Sequence, residues 1–142
     1  MTIDAILHTK GNDVTAIAST ATVAEAVALL AERRIGAVPV LDGESVVGIF
    51  SERDVIYALA QHGAAALDRA VGEVMTAPAI TVTRGEAALG ALSLMTRRRI
   101  RHLPVMEDGR MIGLISIGDL VKYRIDRIEA DADAMRSYIQ SA

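Results

Sequence analysis

Ile35–Ile56, IGAVPVLDGESVVGIFSERDVI, and Ile100–Val121, IRHLPVMEDGRMIGLISIGDLV, are two versions of one stretch. Pro39 falls on Pro104, Val40 on Val105, Gly48 on Gly113, Ser51 on Ser116 and Asp54 on Asp119, at a constant offset (104 − 39 = 119 − 54 = 65). Upstream the register carries Ala26 onto Ala91, Leu29 onto Leu94 and Arg33-Arg34-Ile35 onto Arg98-Arg99-Ile100. A duplication of this kind is one supersecondary unit used twice, so it predicts two similar halves and two similar sites.

Each unit reads strand, helix, strand, strand, helix. In the first, Val14 to Ala18 is a short strand, and Thr22-Val23-Ala24-Glu25 is a capping-box pattern opening a helix. Val23, Val27, Leu30 and Ala31 line one face of that helix, and Gly36 is expected to release the chain from it. Ala37–Leu41 and Val46–Phe50 form a hairpin around Asp42-Gly43, and Ser51 caps the next helix. In the second, Ile80–Val82 is the strand, Thr83-Arg84-Gly85-Glu86 offers another capping box, and a hairpin turns at Asp108-Gly109. The expected boundaries are 14–62 and 71–123, with an N-terminal segment 1–13 and a C-terminal helix extension 124–142. Val121, Ile125, Ile128, Ala132, Met135 and Ile139 step by fours and threes along the last helix, a heptad-like seam that predicts packing on a second copy of the chain.

Composition narrows the function. The 142 residues are 51% apolar with a net charge of −3, enough for a core and the wrong sign for a general binder of nucleic acid or anionic membrane. Arg97-Arg98-Arg99-Ile100-Arg101-His102 is the one basic cluster, and its place at a helix C-terminus accounts for it through the helix dipole. There is no Cys, the N-terminus lacks a signal-peptide pattern, and no apolar run reaches the ~20 residues of a membrane helix; a cytoplasmic protein is expected. No phosphate-binding Gly-x-x-x-x-Gly-Lys loop, dinucleotide fingerprint or His-Glu-x-x-His motif is present. The three His are scattered and no carboxylates cluster, so neither catalysis nor a metal site is expected.

Strand–helix–strand–strand–helix, twice, with Pro-Val before each hairpin and Gly-x-x-Ser-x-x-Asp after it, resembles a tandem pair of CBS domains, a Bateman module. The matching pieces are Gly48-Ile49-Phe50-Ser51-Glu52-Arg53-Asp54 and Gly113-Leu114-Ile115-Ser116-Ile117-Gly118-Asp119, with Val74-Met75-Thr76 ahead of the second unit. The likeness covers about residues 14–123 and extends to small standalone bacterial CBS-pair proteins. It implies an α/β (α+β) fold, two β-α-β-β-α repeats about a pseudo-two-fold axis, with clefts between them for an adenosyl ligand. AMP is the foremost candidate, and ADP, ATP, NAD and S-adenosylmethionine also fit.

The residue chemistry supports the same reading. Ser at a helix start and Asp one turn on address a single ligand. An ionised carboxylate accepts hydrogen bonds from the two hydroxyls of a ribose, while a Ser hydroxyl and free N–H groups at a helix N-terminus suit a phosphate. A lone Ser-x-x-Asp is ordinarily just a cap; the duplicated and framed pair points to binding.

The second cleft is expected to be the better nucleotide site. Arg101 and His102 bring positive charge where the first unit has Gly36 and Ala37. Its candidate residues are Thr81, Val82, Arg101, His102, Leu103, Pro104, Ser116 and Asp119. Those of the first cleft are Ala16, Ile17, Ala37, Val38, Pro39, Ser51, Arg53 and Asp54. Ala16-Ile17 and Thr81-Val82 enter as the family's base-contacting strand, and Pro39 and Pro104 as shape-setters.

The expected function is a regulatory module that binds an adenine nucleotide and signals by rearranging its halves or subunits. It would act on a separate, unidentified protein as a homodimer. The rival readings are a ligand-free protein–protein interaction module, or NAD or S-adenosylmethionine in place of AMP.

Overall fold

The computed structural model describes residues 1–11 and 13–141. Asn12 and Ala142, which fall within the expected 1–13 and 124–142 segments, lie outside the described residues. The first unit contains β1 (Ile17–Ala18), α2 (Val23–Arg33), β2 (Ala37–Asp42), β3 (Ser45–Ser51) and α3 (Glu52–His62). The second contains β4 (Val82–Thr83), α5 (Ala88–Arg98), β5 (His102–Glu107), β6 (Arg110–Ser116) and α6 (Ile117–Ser141). Two helices precede the units: α1 (Ile3–Lys10) and, after a 3-10 stretch at Gly63–Asp68, the short α4 (Val71–Val74).

Each unit builds a three-stranded sheet, β1-β2-β3 and β4-β5-β6. The outer strand runs parallel to the middle one, and the hairpin is antiparallel. Pro39 pairs with Ile49 and Pro104 with Leu114, and both hairpins slip register one residue after the shared Val, at Val40/Leu41 and Val105/Met106. The duplication thus extends to irregularities of the ladder. The parallel strands are shorter than the sequence reading, two residues each, because only those residues pair with the hairpin.

The capping signals divide. Thr22 closes the expected box with Glu25 at the start of α2. The pattern Thr83–Glu86 does not open α5. Glu86 accepts a hydrogen bond from the Thr83 N–H within a turn, and the helix begins later, behind an uncapped Ala87. The repeat explains why: Thr22 maps onto residue 87 (22 + 65), where the second unit has Ala. Nor does Gly36 carry the turn out of α2. Arg34 takes the left-handed conformation at φ 54°, as Arg99 does at φ 55° after α5.

The two halves are joined by crossed packing of the helices that precede them. α1 leads into the first unit yet packs on the second: Ile3, Ile6 and Leu7 are buried with Val82, Met95, Leu103, Val105, Ile115 and Leu120. α4 leads into the second unit and places Val71 in the first core, with Val23, Leu30, Val38, Val40 and Phe50. Backbone hydrogen bonds repeat the exchange. Val71 N donates to Ala21 O and Gly72 N to Ser19 O, matched by Ile3 N to Glu86 O and Asp4 N to Arg84 O.

Residues 1–11, expected as a segment outside the repeats, therefore hold the counterpart of α4. Its offset is 68 (71 − 3 = 72 − 4) rather than 65, so the first unit has three more residues between its leading helix and β1. The docking requires glycine in the hairpin. A Cβ on Gly48 would lie 2.6 Å from Thr76 O, and one on Gly113 would lie 2.6 Å from Leu7 Cδ2.

α6 runs as expected to the end of the described chain, and only Leu120 on it is buried. Its seam stands open, from Val121 at 45% exposed to Ile139 at 66%. No helix of the described residues is long and apolar enough to cross a membrane.

Candidate functional site

The two Ser-x-x-Asp motifs sit at equivalent corners where a hairpin strand turns into a helix. Ser51 caps α3: its Oγ accepts from Asp54 N–H, and Asp54 Oδ2 accepts from Ser51 N–H at 2.9 Å. At the start of α6, Asp119 N–H donates to Ser116 Oγ at 3.1 Å, and Ser116 N–H to Asp119 Oδ2 at 2.8 Å. This reciprocal capping orients each carboxylate. It uses one oxygen, and what the other oxygen meets distinguishes the clefts.

Asp54 is 7% exposed and internally satisfied. Its Oδ2 also accepts from Ser51 Oγ, and its Oδ1 accepts from Thr76 Oγ1 at 2.8 Å. Thr76 arrives on the segment leading into the second unit, which pairs with Ile49 through two backbone hydrogen bonds of 2.9 Å. Asp119 is half-buried. Its Oδ1 accepts no hydrogen bond among the described residues, and its Oδ2 takes a second one from Lys10 Nζ at 2.7 Å. Lys10, at the end of α1, also donates to Leu114 O at 2.7 Å. The crossed packing therefore delivers a hydroxyl to one carboxylate and an ammonium to the other. Lys10 carries no motif; the crossed leading helices were the signal that would have placed it.

His102 opens β5 opposite Ser116, and Arg101 precedes it, exposed, with its carbonyl accepting from Ile117 N–H at 2.8 Å. Gly36 and Ala37 hold the equivalent positions, as the repeat register predicts, with Glu52 N–H donating to Gly36 O. Glu52 folds its carboxylate over Gly36, where a Cβ would meet Oε1 at 2.6 Å. The second corner thus brings Lys10 to Asp119 and sets His102, preceded by Arg101, opposite Ser116, while the first holds Asp54 and Glu52, whose charge also acts on His102.

Burial pushes the His102 pKa below its ordinary 6.5, and the charges of Lys10 and Arg101 push it the same way, against Asp119 and Glu52. Burial opposes ionisation of Asp119, but hydrogen bonds from Lys10 and Ser116 outweigh it and hold this carboxyl below its ordinary 3.8. The group is a ready acceptor at neutral pH.

The remaining candidates divide by burial. Val38, Leu103 and Val82 have side chains in the two cores, so only their backbone can face a ligand. Pro39, Pro104 and Ala37 are buried in the hairpins, Ala16 and Ile17 are half-buried, and Thr81 and Arg53 are exposed. A groove of about 540 Å³ lies between α2 and α3, lined by apolar side chains such as Val27, Leu30, Val55 and Ile56 together with Arg34, and it reaches the first corner at Gly36 and Glu52. Neither Ser-x-x-Asp carboxylate reaches it. Among the described residues no group of three or more His, Asp or Glu could hold a metal ion.

Two crossed β-α-β-β-α units, each ending in a capped carboxylate, define a duplicated α/β module. The CBS domain family matches residues 5–61 and 71–126, and the chain belongs to that family as a CBS pair. It is 36% identical over 124 residues to the mitochondrial CBS domain-containing protein CBSX3 of Arabidopsis thaliana, covering 84% of this chain and 60% of that one. It is 41% identical over 104 residues to inosine-5'-monophosphate dehydrogenase of Mycobacterium tuberculosis, covering 71% of this chain but 18% of the enzyme. The chain thus spans 60% of the first relative's length and 18% of the second's.

Among solved structures, a CBS-domain protein of Agrobacterium tumefaciens is 40% identical with a TM-score of 0.83, covering 87% of this chain and 92% of that one. The CBS pair of protein MJ0100, in complex with 5'-methylthioadenosine and S-adenosylmethionine, is 25% identical with a TM-score of 0.76, covering 87% and 98%. CBSX2 in complex with AMP shares the fold at 24% identity and a TM-score of 0.70, covering 80% and 89%.

Proposed function

We propose that this CBS pair is a regulatory module that binds an adenine nucleotide, AMP foremost, at the Asp119 corner. The observation that carries the reading is the difference between the two carboxylates. Asp54 has both oxygens committed within the protein, whereas Asp119 keeps Oδ1 open on a carboxylate held by Lys10, with Arg101 and His102 leading into the strand opposite Ser116. An open carboxylate oxygen suits a ribose hydroxyl, and the adjoining cations suit a phosphate. The MJ0100 pair holds adenosyl ligands, which supports the ligand class; the cations favour AMP over S-adenosylmethionine, whose sulfonium would meet them with like charge. ADP, ATP and NAD share the ribosyl phosphate and rank behind AMP because the cations are few.

The signal is a shift between arrangements of the halves or of two subunits, driven by the ligand's differential affinity for them. The open seam of α6, together with exposed Ile56 and Tyr57 on α3 and Leu89 on α5, supports a homodimer through the helical faces. The regulated protein would be a different chain, and the setting a cytoplasmic one.

Thermal unfolding against AMP, ADP, ATP, NAD, S-adenosylmethionine and adenosine tests this directly. A ligand at 100 times its dissociation constant adds about 2.7 kcal/mol, several degrees for a chain of this size. No shift with any of them would leave the helical faces as the functional surface and favour a protein–protein interaction module.

A further inference from the structure

We propose that Lys10 makes the second cleft demand an anionic ligand, so that the site takes the nucleotide and rejects the nucleoside. The proposal deepens the nucleotide reading above and rests on it. Lys10 spends two of its three N–H donors on Asp119 Oδ2 and Leu114 O, both at 2.7 Å. Oδ2 also accepts from Ser116 N–H, which leaves it little capacity for a second ribose hydroxyl.

A neutral nucleoside offers Lys10 nothing in return. Its diol must share the carboxylate with an ammonium that holds that carboxylate more strongly than a hydroxyl does. A phosphate changes the exchange. Its oxygens draw the ammonium off Oδ2 on a flexible four-carbon stem, and the carboxylate is then free to take both hydroxyls. One lysine thereby couples the two ends of the ligand. Arg101, whose charge acts on the same neighbourhood as that of Lys10, adds to the attraction, and His102, held neutral at neutral pH, offers a hydrogen bond and no charge. The first cleft lacks the device, because Thr76, a neutral donor, stands against Asp54.

The lysine reaches this position through α1, which is anchored independently of it by Ile3, Ile6 and Leu7, exposed by 0%, 7% and 1%. Lys10→Met keeps the aliphatic stem and removes the charge, and Lys10→Arg keeps the charge. Calorimetric titration of the full chain with AMP and with adenosine reads the effect. Lys10→Met is expected to weaken AMP about tenfold, the worth of one charge-assisted hydrogen bond, while adenosine binds as well as before or better. Lys10→Arg is expected to retain the preference for AMP.

Equal weakening of both ligands by Lys10→Met would mean that the lysine only holds α1 in place, and no change in either would remove it from the site. Both results overturn the inference and leave the nucleotide reading intact, provided Asp119→Ala weakens AMP binding about tenfold or more. Failure of the wild-type chain to bind AMP overturns both together.

Discussion

The two carboxylates invite one comparison that separates a structural group from a binding group. Asp54→Ala removes the carboxylate that answers the Ser51 cap of α3, worth about 1 kcal/mol, and leaves Ser51 Oγ without its acceptor beside a residue 7% exposed. That stranded donor adds about 1 kcal/mol and brings the loss to about 2 kcal/mol, while Thr76 is exposed and its hydroxyl can turn to water. Asp119→Ala removes the same half of the Ser116 cap, but the side chain it strands is Lys10, which is 35% exposed and can turn to water. Its loss is expected near about 1 kcal/mol. Urea denaturation of both variants should therefore show a gap of about 1 kcal/mol with unchanged m values. AMP affinity should rank the other way, with Asp119→Ala the more damaging. If Asp119→Ala proves as destabilising as Asp54→Ala, the division of labour between the two corners is refuted.

Further outcomes follow from particular contacts. The folded protein holds His102 below its ordinary 6.5, so the unfolded chain binds more protons between that lowered value and 6.5. Stability should fall as the pH drops through that window and stay level above it, and His102→Gln should flatten the step in melting temperature. Asp119 adds its own loss only below its ordinary 3.8. Arg34→Gly and Arg99→Gly relieve left-handed backbone at φ 54° and φ 55° and should each stabilise by up to about 1 kcal/mol, less the entropy glycine adds to the unfolded chain; a lower urea midpoint would contradict this. Gly48→Ala drives a Cβ into the Thr76 backbone, whereas Gly113→Ala meets the yielding end of Leu7, so the first should cost about 1–3 kcal/mol and the second less. Ile125→Glu with Met135→Glu should convert a dimer to a monomer in sedimentation velocity; a wild-type chain that is monomeric at every concentration would end the seam argument.

The sequence made the hairpins, the Ser and Asp caps and the pairing of Arg101-His102 with Gly36-Ala37 legible, because these positions repeat residue for residue at one offset. It hid α1 for a matching reason. Three extra residues break the register there, and Ile3, Ile6 and Leu7 stand 68 rather than 65 residues from Val71, Val74 and Met75. A helix of eight residues with no capping side chain also leaves a weak local pattern. The false capping box at Thr83 arose from reading a local motif without the repeat, which puts Ala87 at the cap. Lys10 was invisible because its role is tertiary. It pairs with a carboxylate 109 residues away, and nothing near it in sequence marks that contact. Val38, Leu103 and Val82 lie where the register placed them, but their side chains turn into the core, which a two-residue period cannot decide for strands buried on both faces.

The most direct test of the account is calorimetric titration of AMP into wild-type, Asp119→Ala and Asp54→Ala proteins at neutral pH. The account predicts saturable binding to the wild type, weakened tenfold or more by Asp119→Ala and less by Asp54→Ala. Absence of binding to the wild type, or equal affinity in the wild type and Asp119→Ala, would contradict it.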